Sequence, residues 1–285
     1  MKKLSVFYSP KQSVEDNKSF SPSAGKPRYI VELFSKNPRV QIVENWNPVT
    51  EQEIAIAHDP KFVNDVLNLR RSNGFGNNLA SVAASLPYTV GSFLRAAEHA
   101  LKHNTVTMSP TSGFHHSCYG SGGGFCTFNG LMVTALQLWQ NQNLNKLGII
   151  DFDAHYGNGT QDIINKFNGA AEYIQHYTFG GFADSTDNFD NWLHDLYDTL
   201  VSQFKDCDIL LYQAGADPHI EDPLGGYLTT KQMKKRDDIV FKFASDYKKP
   251  IVWNLAGGYQ EPFQKVLDIH HNTLDSCLEH YIHAR

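Results

Sequence analysis

Residues 148–160 read Gly-Ile-Ile-Asp-Phe-Asp-Ala-His-Tyr-Gly-Asn-Gly-Thr. The apolar run that begins at Leu147 and leads into this stretch has the size and type of a buried parallel strand. The Gly-Asn-Gly turn is followed by a helical pattern with Ile163, Ile164 and Phe167 on one side. The polar cluster therefore lies where a buried strand ends, which is where open α/β sheets build their sites.

The polar cluster has the spacing Asp-x-Asp-x-His. Because side chains alternate along a strand, Asp151, Asp153 and His155 are expected to start out on the same face. Two carboxylates held together repel each other unless a positive charge lies between them, and a divalent metal supplies that charge. The alternative is a surface turn with solvated acids. The hydrophobic strand before the cluster disfavours that alternative.

The composition predicts one globular domain. The chain has 285 residues, of which 41% are hydrophobic and 19% charged, with a net charge of −5 and no basic run. Nucleic-acid or membrane-surface binding therefore has no electrostatic support. There is no signal-peptide pattern and no stretch of membrane-spanning length. Cys118, Cys126, Cys207 and Cys277 lack Cys-x-x-Cys spacing, so we expect reduced thiols and a cytoplasmic location.

Strand and helix patterns alternate along the chain. Strands are predicted at 4–8, 39–43, 105–108, 147–152, 172–175, 208–213 and 250–255. Helices are predicted at 28–35, 51–69, 90–101, 131–141, 191–204, 230–245 and from about 262 onwards. This alternation predicts an α/β fold with a parallel sheet flanked by helices, as a single domain over residues 1–285.

Polar residues follow three of the predicted strands and are expected at one edge of the sheet. Asp153, His155 and Asp217 offer three ligands from two of these strands. Three protein ligands with an open position are typical of catalytic zinc, although this donor set also suits Fe(II) or Mn(II). An open metal position lowers the pKa of bound water and polarises a carbonyl.

Other residues could complete a catalytic site. His115 and His116, between glycine-rich turns, could take and give protons. Tyr259, after two glycines, could donate a hydrogen bond to a developing oxyanion, although alone it would be interpreted as a core tyrosine. A second pair, His270-His271, is interpreted as part of a solvated helix face. Together with the metal ligands, these residues predict metal-assisted amide hydrolysis.

Five separated segments resemble the histone deacetylase family, in the superfamily shared with acetylpolyamine amidohydrolases and arginases. They are GFHHS (113–117), GGFCTFNG (123–130), DFDAHYGNGT (151–160), GADPHIEDPLGG (215–226) and AGGY (256–259). They occur in the family's order and at its spacings. The resemblance implies an arginase/deacetylase fold and a zinc-dependent deacetylase that removes acetyl or other acyl groups from lysine side chains.

The resemblance also implies roles for particular residues. His116 is expected to be the general base and then the acid, and His115 the second active-site histidine, oriented by Asp151. Asn158 lies where the family places the partner of the other histidine, in a form that resembles class II. Tyr259 is expected to polarise the acyl carbonyl.

Two cation sites are implied in the same way. One zinc ion per chain is expected on Asp153, His155 and Asp217. A structural potassium ion is expected on Asp151, on the main chain of Asp153 and His155, and near Gln175 and His176.

A narrow acyl-lysine channel is implied along Gly124, with walls from Phe125 and Phe182. The chain also departs from the family pattern. Tyr156 stands where a second histidine is usual. The rim loop, where the family carries an acid that grips the substrate backbone, offers only asparagines, at 73, 77 and 78. We therefore expect a weak grip on a peptide backbone.

Three alternatives are weighed. Arginase-like chemistry needs a second metal and a fifth-position aspartate, where this chain has Gly157. An acetylpolyamine amidohydrolase of the polyamine-specific form carries a glutamate where Leu224 stands, so Leu224 favours acyl-lysine. A non-catalytic acyl-lysine-binding module is disfavoured because every mapped catalytic position is filled. The expected partner is thus an acylated lysine on a protein or a small acylated amine.

Overall fold

The protein is described by a computed structural model that covers residues 2–142, 144–185 and 188–282. Seven strands lie within these ranges: β1 (Leu4–Phe7), β2 (Val40–Val43), β3 (Val106–Ser109), β4 (Leu147–Asp151), β5 (Ile174–Thr178), β6 (Ile209–Gly215) and β7 (Ile251–Ala256). They form one sheet in the order β2-β1-β3-β7-β6-β4-β5, and every neighbouring pair is parallel. The predicted parallel α/β sheet is confirmed.

The described helices cover both faces of the sheet. They are α1 (Lys26–Phe34), α2 (Glu51–Ile54), α3 (Pro60–Leu67), α4 (Ala80–His103), α5 (Gly130–Gln142), α6 (Asn158–Lys166), α7 (Ala170–Tyr173), α8 (Phe189–Phe204), α9 (Thr230–Asp246) and α10 (Gln264–Cys277). Alternate strand residues enter two cores: Ile150 packs with α1 and α8–α10, whereas Ile149 packs with α3–α6. A strand buried on both faces is predominantly apolar, and a polar side chain within it needs a hydrogen-bond partner.

The carboxyl ends of β4, β6 and β7 lie side by side. Asp151 of β4 is in register with Gln213 of β6, and Gly215 of β6 is in register with Ala256 of β7. The loops that leave these strands therefore meet above one edge of the sheet, as expected for an α/β site. No helix in the described part of the chain is both long and apolar enough to cross a bilayer.

The structure corrects several sequence predictions. Glu172 and Tyr173 complete the short helix α7, so β5 begins only at Ile174. Helix α4 begins at Ala80 rather than at Val90, and it contains Pro87, a residue that usually ends or breaks a helix pattern in the sequence.

The interpretation of His270-His271 as a solvated helix face is wrong for the first histidine. His270 is fully buried in α10, whereas His271 is partly exposed. The reason is that α10 packs against both α1 and α9, so only a narrow stripe of it meets solvent.

His58 joins separate loops beneath the site. Its Nε2 accepts the backbone N–H of Asn129 at 2.8 Å, and its Nδ1 lies 3.0 Å from the carbonyl oxygen of Cys118. This pattern requires the neutral ring with its proton on Nδ1, because a proton on Nε2 would face the Asn129 N–H. Burial lowers the pKa of His58 to about 4, against the smaller effect of the carbonyls of Tyr119 and Cys118.

We expect His58 to make the fold sensitive to acid. Its folded pKa lies below its ordinary value of 6.5, so its contribution is complete above that pH and is lost as the pH falls toward 4. In denaturant unfolding, the stability advantage of the wild type over His58→Gln should shrink by about 1.5 kcal/mol between pH 6.5 and pH 5. The difference between the two proteins cancels the other titrating groups. An advantage that does not change with pH would contradict this role.

Candidate active site

The structure brings the three predicted metal ligands together. Asp153, His155 and Asp217 each offer one ligand atom, and these atoms all lie within 4.8 Å of one another. His155 Nδ1 is 3.0 Å from Asp153 Oδ1 and 3.0 Å from Asp217 Oδ2. Both carboxylates are buried, while His155 is half-buried at the pocket side.

The cluster fits a divalent cation. Asp217 Oδ2 is buried and, despite lying near His155, accepts no well-aligned hydrogen bond. Burial raises the pKa of Asp217 to about 7, and the neighbouring charge of Asp153 adds to this effect. Burial acts to raise the pKa of Asp153 as well, but the neighbouring His115 and His155 outweigh that effect, so the pKa of this carboxyl is lowered. Two oxygens and one imidazole nitrogen at one point suit zinc, and also Fe(II) or Mn(II).

His115 is held between two carboxylates. Its Nδ1 is 2.7 Å from Asp151 Oδ2, and its Nε2 is 3.5 Å from Asp153 Oδ1. Burial acts to lower the pKa of His115, but Asp151, Asp153 and Asp217 together raise it to about 9. His115 is thus suited to carry a positive charge, with its orientation fixed by Asp151.

His116 has a different environment. Its Nδ1 lies 2.6 Å from Asn158 Oδ1, which makes the amide oxygen the acceptor of an Nδ1–H. Burial and the neighbouring ring of His115 lower the pKa of His116. Gly124 packs so closely on this ring that a Cβ there would lie 2.5 Å from His116 Cδ2. His116 therefore stays neutral and presents Nε2 as a proton acceptor.

Tyr259 follows a tight turn from the end of β7. Its backbone N–H donates to Asp222 Oδ2 at 2.7 Å. Gly257 has φ +45°, and a Cβ there would lie 2.1 Å from Asp217 Cγ, so this position requires glycine. Burial, together with the charges of Asp217 and Asp153, raises the pKa of Tyr259 far above its ordinary value. The phenol stays protonated and can donate a hydrogen bond.

One pocket contains most of the predicted site residues. Its lining includes His115, His116, Gly124, Phe125, Asp153, His155 and Tyr259. Phe182 lies elsewhere: its ring packs against Phe179 and Trp192 at centroid distances of 5.3 and 6.0 Å, so its predicted role as a channel wall gains no support. Leu224 lies on the outer loop and is 41% exposed.

The mouth of the pocket is aromatic. Phe125 packs against Tyr259, Phe20 and Phe75 at centroid distances of 5.7, 5.2 and 5.9 Å. Phe20 is 74% exposed there. The sequence pattern did not indicate Phe20 and Phe75, because each lies in a polar loop without periodicity.

The asparagine side chains of the rim loop, residues 72–79, form hydrogen bonds within the protein. Asn73 Nδ2 donates to Asn77 Oδ1 at 2.8 Å, and Asn77 Nδ2 donates to the carbonyl oxygen of Asn17 at 2.7 Å. Asn78 Nδ2 donates to the carbonyl oxygen of Leu69 at 2.8 Å. These bonds occupy all three amide side chains within the protein, and residues 72–79 contain no carboxylate.

The predicted potassium ligands are less well assembled. Asp151 Oδ1 accepts hydrogen bonds from Gln213 Nε2 and from the Asp153 N–H. Gln175 Nε2 donates to Gln203 Oε1 at 3.3 Å, and the β5 residue beside Asp151 is Thr178. His176 is partly buried, and its Nδ1 lies 3.3 Å from Gln161 Oε1. The potassium site stays a prediction.

Two supporting residues were not identified from the sequence. Gln213, in the middle of β6, donates to Asp151 Oδ1 at 2.9 Å and accepts the Phe114 N–H at 3.0 Å. The sequence offered one indication of this role, because Gln213 is a polar residue inside an otherwise apolar strand. Asp222 accepts hydrogen bonds from the backbone N–H groups of Tyr259 and Leu224. It lies within the segment GADPHIEDPLGG, but the sequence did not indicate a role for it.

Several known proteins are similar to this chain in sequence. Histone deacetylase 2 of Arabidopsis thaliana is 27% identical over 214 residues, which cover 68% of this chain and 54% of that protein. The polyamine deacetylase HDAC10 of Danio rerio is 30% identical over 128 residues, covering 39% of this chain and 18% of that protein. An uncharacterised protein of Picosynechococcus is 28% identical over 187 residues, covering 60% of this chain and 61% of its own length. The matches thus span less than two thirds of each of these relatives.

A solved structure and a family profile each match most of this chain. The crystal structure of the HDA15 HD domain superposes with a TM-score of 0.78 at 19% identity, over 98% of this chain and 90% of that chain, which shows a shared fold. The profile of the histone deacetylase domain matches residues 23–182 and 183–274. Because that profile spans most of the sequence, the chain belongs to the histone deacetylase family.

Proposed function

We propose that this protein is a zinc-dependent amidohydrolase that removes acetyl or other acyl groups from lysine side chains, with residues 1–285 acting as one catalytic domain. One observation carries the proposal: a proton acceptor, a phenol donor and the candidate metal ligands face the same pocket. These are His116, Tyr259, Asp153 and His155. The membership of the histone deacetylase family supports the same chemistry.

Different residues of the chain have different roles in the proposed amide hydrolysis. A zinc ion held by Asp153, His155 and Asp217 supplies Lewis acidity when bound, which acidifies water and polarises a carbonyl. Neutral His116 takes a proton from the attacking water and returns it to the leaving amine. The phenol of Tyr259 donates a hydrogen bond to the developing oxyanion.

The second histidine and its partners set the electrostatics of this reaction. His115 keeps its charge through the 2.7 Å contact with Asp151, so it balances the buried carboxylates without competing for the proton of the water. Asn158 fixes the ring of His116 through Nδ1, which leaves Nε2 directed to the reaction.

The substrate is proposed to enter as a long, thin side chain. Gly124 and Phe125 line the pocket, and the described rim residues 72–79 offer no carboxylate to grip a peptide backbone. A small acylated amine is the alternative substrate, since one relative is named a polyamine deacetylase. A cytoplasmic location agrees with the four free cysteines and stays a prediction, as two relatives are named chloroplastic.

The proposed function is tested by comparing hydrolysis of an acetyl-lysine peptide and an acetylated diamine by the zinc-loaded protein. Asp217→Asn serves as the blank, because it removes a charged ligand. Tyr259→Phe should lower kcat by about 100- to 1,000-fold with little change in KM, since it removes only a transition-state donor.

Each outcome has a definite meaning. Peptide hydrolysis that disappears in the blank supports the lysine deacylase. Hydrolysis of the diamine alone would replace the proposal with a polyamine deacetylase. Full activity in Tyr259→Phe would contradict the role of the phenol. If neither substrate, nor peptides with longer acyl groups, were hydrolysed, the protein would be a binding module.

Gly257→Ala should abolish tight zinc binding. Its Cβ would overlap the Asp217 carboxylate, so either that ligand or the turn must move. Gly120→Ala is the matched control, because a Cβ there meets no atom within 4 Å. Zinc retained in dialysed protein, measured by elemental analysis, should approach zero for Gly257→Ala and about one per chain for the control. Equal retention would refute the predicted ligand.

Asn158→Asp should move the acid limb of the kcat/KM profile to higher pH. A carboxylate 2.6 Å from His116 Nδ1 would stabilise the imidazolium and raise the pKa of His116 above its present lowered value. The neutral base is then lost at a higher pH as the solution is acidified. We expect a displacement of about one pH unit, measured from pH-dependent kinetics. An unchanged acid limb would mean that His116 is not the base.

A further inference from the structure

Lys26 is a buried cation for which the proposed catalysis has no use. It lies in the first turn of α1 and is fully buried. Its ammonium donates a hydrogen bond to the carbonyl oxygen of Gly257, and its Nζ lies 3.4 Å from His270 Nε2. Burying a charged amine is costly unless its surroundings stabilise the charge. The position of Lys26 therefore calls for a functional explanation.

The contact with Gly257 reaches the catalytic tyrosine. Lys26 holds the carbonyl at the start of the Gly257–Tyr259 turn, and Asp222 holds the N–H at its end at 2.7 Å. Both glycines of this turn have positive φ, so the backbone itself imposes little preference on its path. Two opposite charges, on Lys26 and Asp222, thus fix the segment that carries the Tyr259 phenol.

The charge of Lys26 also acts on the candidate metal site. Burial lowers the pKa of Lys26 to about 8, while Asp217, Asp153 and Asp222 oppose this effect in that order. Two of these three carboxylates are the proposed zinc ligands. A positive charge behind them stabilises the pair but repels a cation that binds to them.

We propose that Lys26 is a positioning residue: it orients Tyr259 through the Gly257 carbonyl, and its charge weakens the affinity of the adjacent cation site. This inference rests on the proposed function for its catalytic half, whereas its effect on metal affinity does not. His270 completes the arrangement by accepting from the ammonium as a neutral ring, because burial lowers the pKa of His270 far below its ordinary value.

The two effects act in opposite directions, which separates positioning from simple damage to the fold. In Lys26→Met, kcat for an acetyl-lysine peptide should fall about 10- to 100-fold with KM nearly unchanged. Zinc should bind roughly tenfold more tightly in competition with a chromogenic chelator. In Lys26→Arg, which keeps the charge and the donor, both values should stay within about threefold of the wild type.

A matched surface control is Lys242→Met on α9, where the side chain is 55% exposed and pairs with Asp246. It should change neither kcat nor zinc affinity. Lys26→Gln keeps a donor for Gly257 but no charge, so it should tighten zinc binding and lose less activity than Lys26→Met. It also serves as the test should Lys26→Met fail to fold.

Two results would overturn the inference. One is an unchanged kcat in Lys26→Met, and the other is weaker zinc binding in Lys26→Met or Lys26→Gln. An inactive wild-type protein would refute the proposed function instead, while zinc titration of the same variants would still decide the electrostatic role of Lys26.

Discussion

The burial of two facing carboxylates, Asp153 and Asp217, is the constraint on which the rest of the structure depends. They follow two adjacent strands, β4 and β6, and neither is solvated. Burying one such charge without compensation costs several kcal/mol. Three neighbouring basic groups offset the negative charge of these carboxylates. His155 lies 3.0 Å from both of them, and His115 lies behind Asp153. The ammonium of Lys26 acts from the other side of the turn. In the proposed function, a divalent cation adds the remaining positive charge to this cluster.

The sheet and the first layer of the site could be predicted from the sequence because their determinants are local. Asp153 and His155 follow an apolar strand directly, and extending its alternation predicts one side for both, although β4 itself ends at Asp151. The end of β6 supplies Asp217 in the same way. Parallel strands carry their carboxyl ends to one edge, so these local patterns imply a common location.

The second layer of the site could not be predicted because its members are distant in the sequence. Lys26 meets Gly257 across 231 positions, and no periodicity marks that lysine. Gln213 and Asp222 act through backbone groups, whose directions depend on the finished fold. The shift of β5 has a similar origin, since Tyr173 of α7 stacks on Trp139 of α5, a residue distant in the sequence, at a centroid distance of 4.1 Å.

The aromatic mouth and the asparagine loop together define how this site meets a substrate. Phe20, Phe75 and Phe125 form a connected apolar surface, while Asn73 and Asn77 are already engaged within the protein. For the proposed substrate, we expect selectivity to depend on the shape and apolar character of the entering chain more than on hydrogen bonds to its backbone.

Strand β6 carries two separate parts of the site. Through Gln213 it anchors the histidine loop and Asp151, and four residues later it delivers Asp217. The strand therefore fixes the spacing between the proposed proton-transfer groups and the proposed metal ligands. Insertions in the loop after Asp217 can remodel the entrance while that spacing is preserved. A slip of one residue in β6 would turn Gln213 and its neighbours to opposite faces and remove both anchors at once.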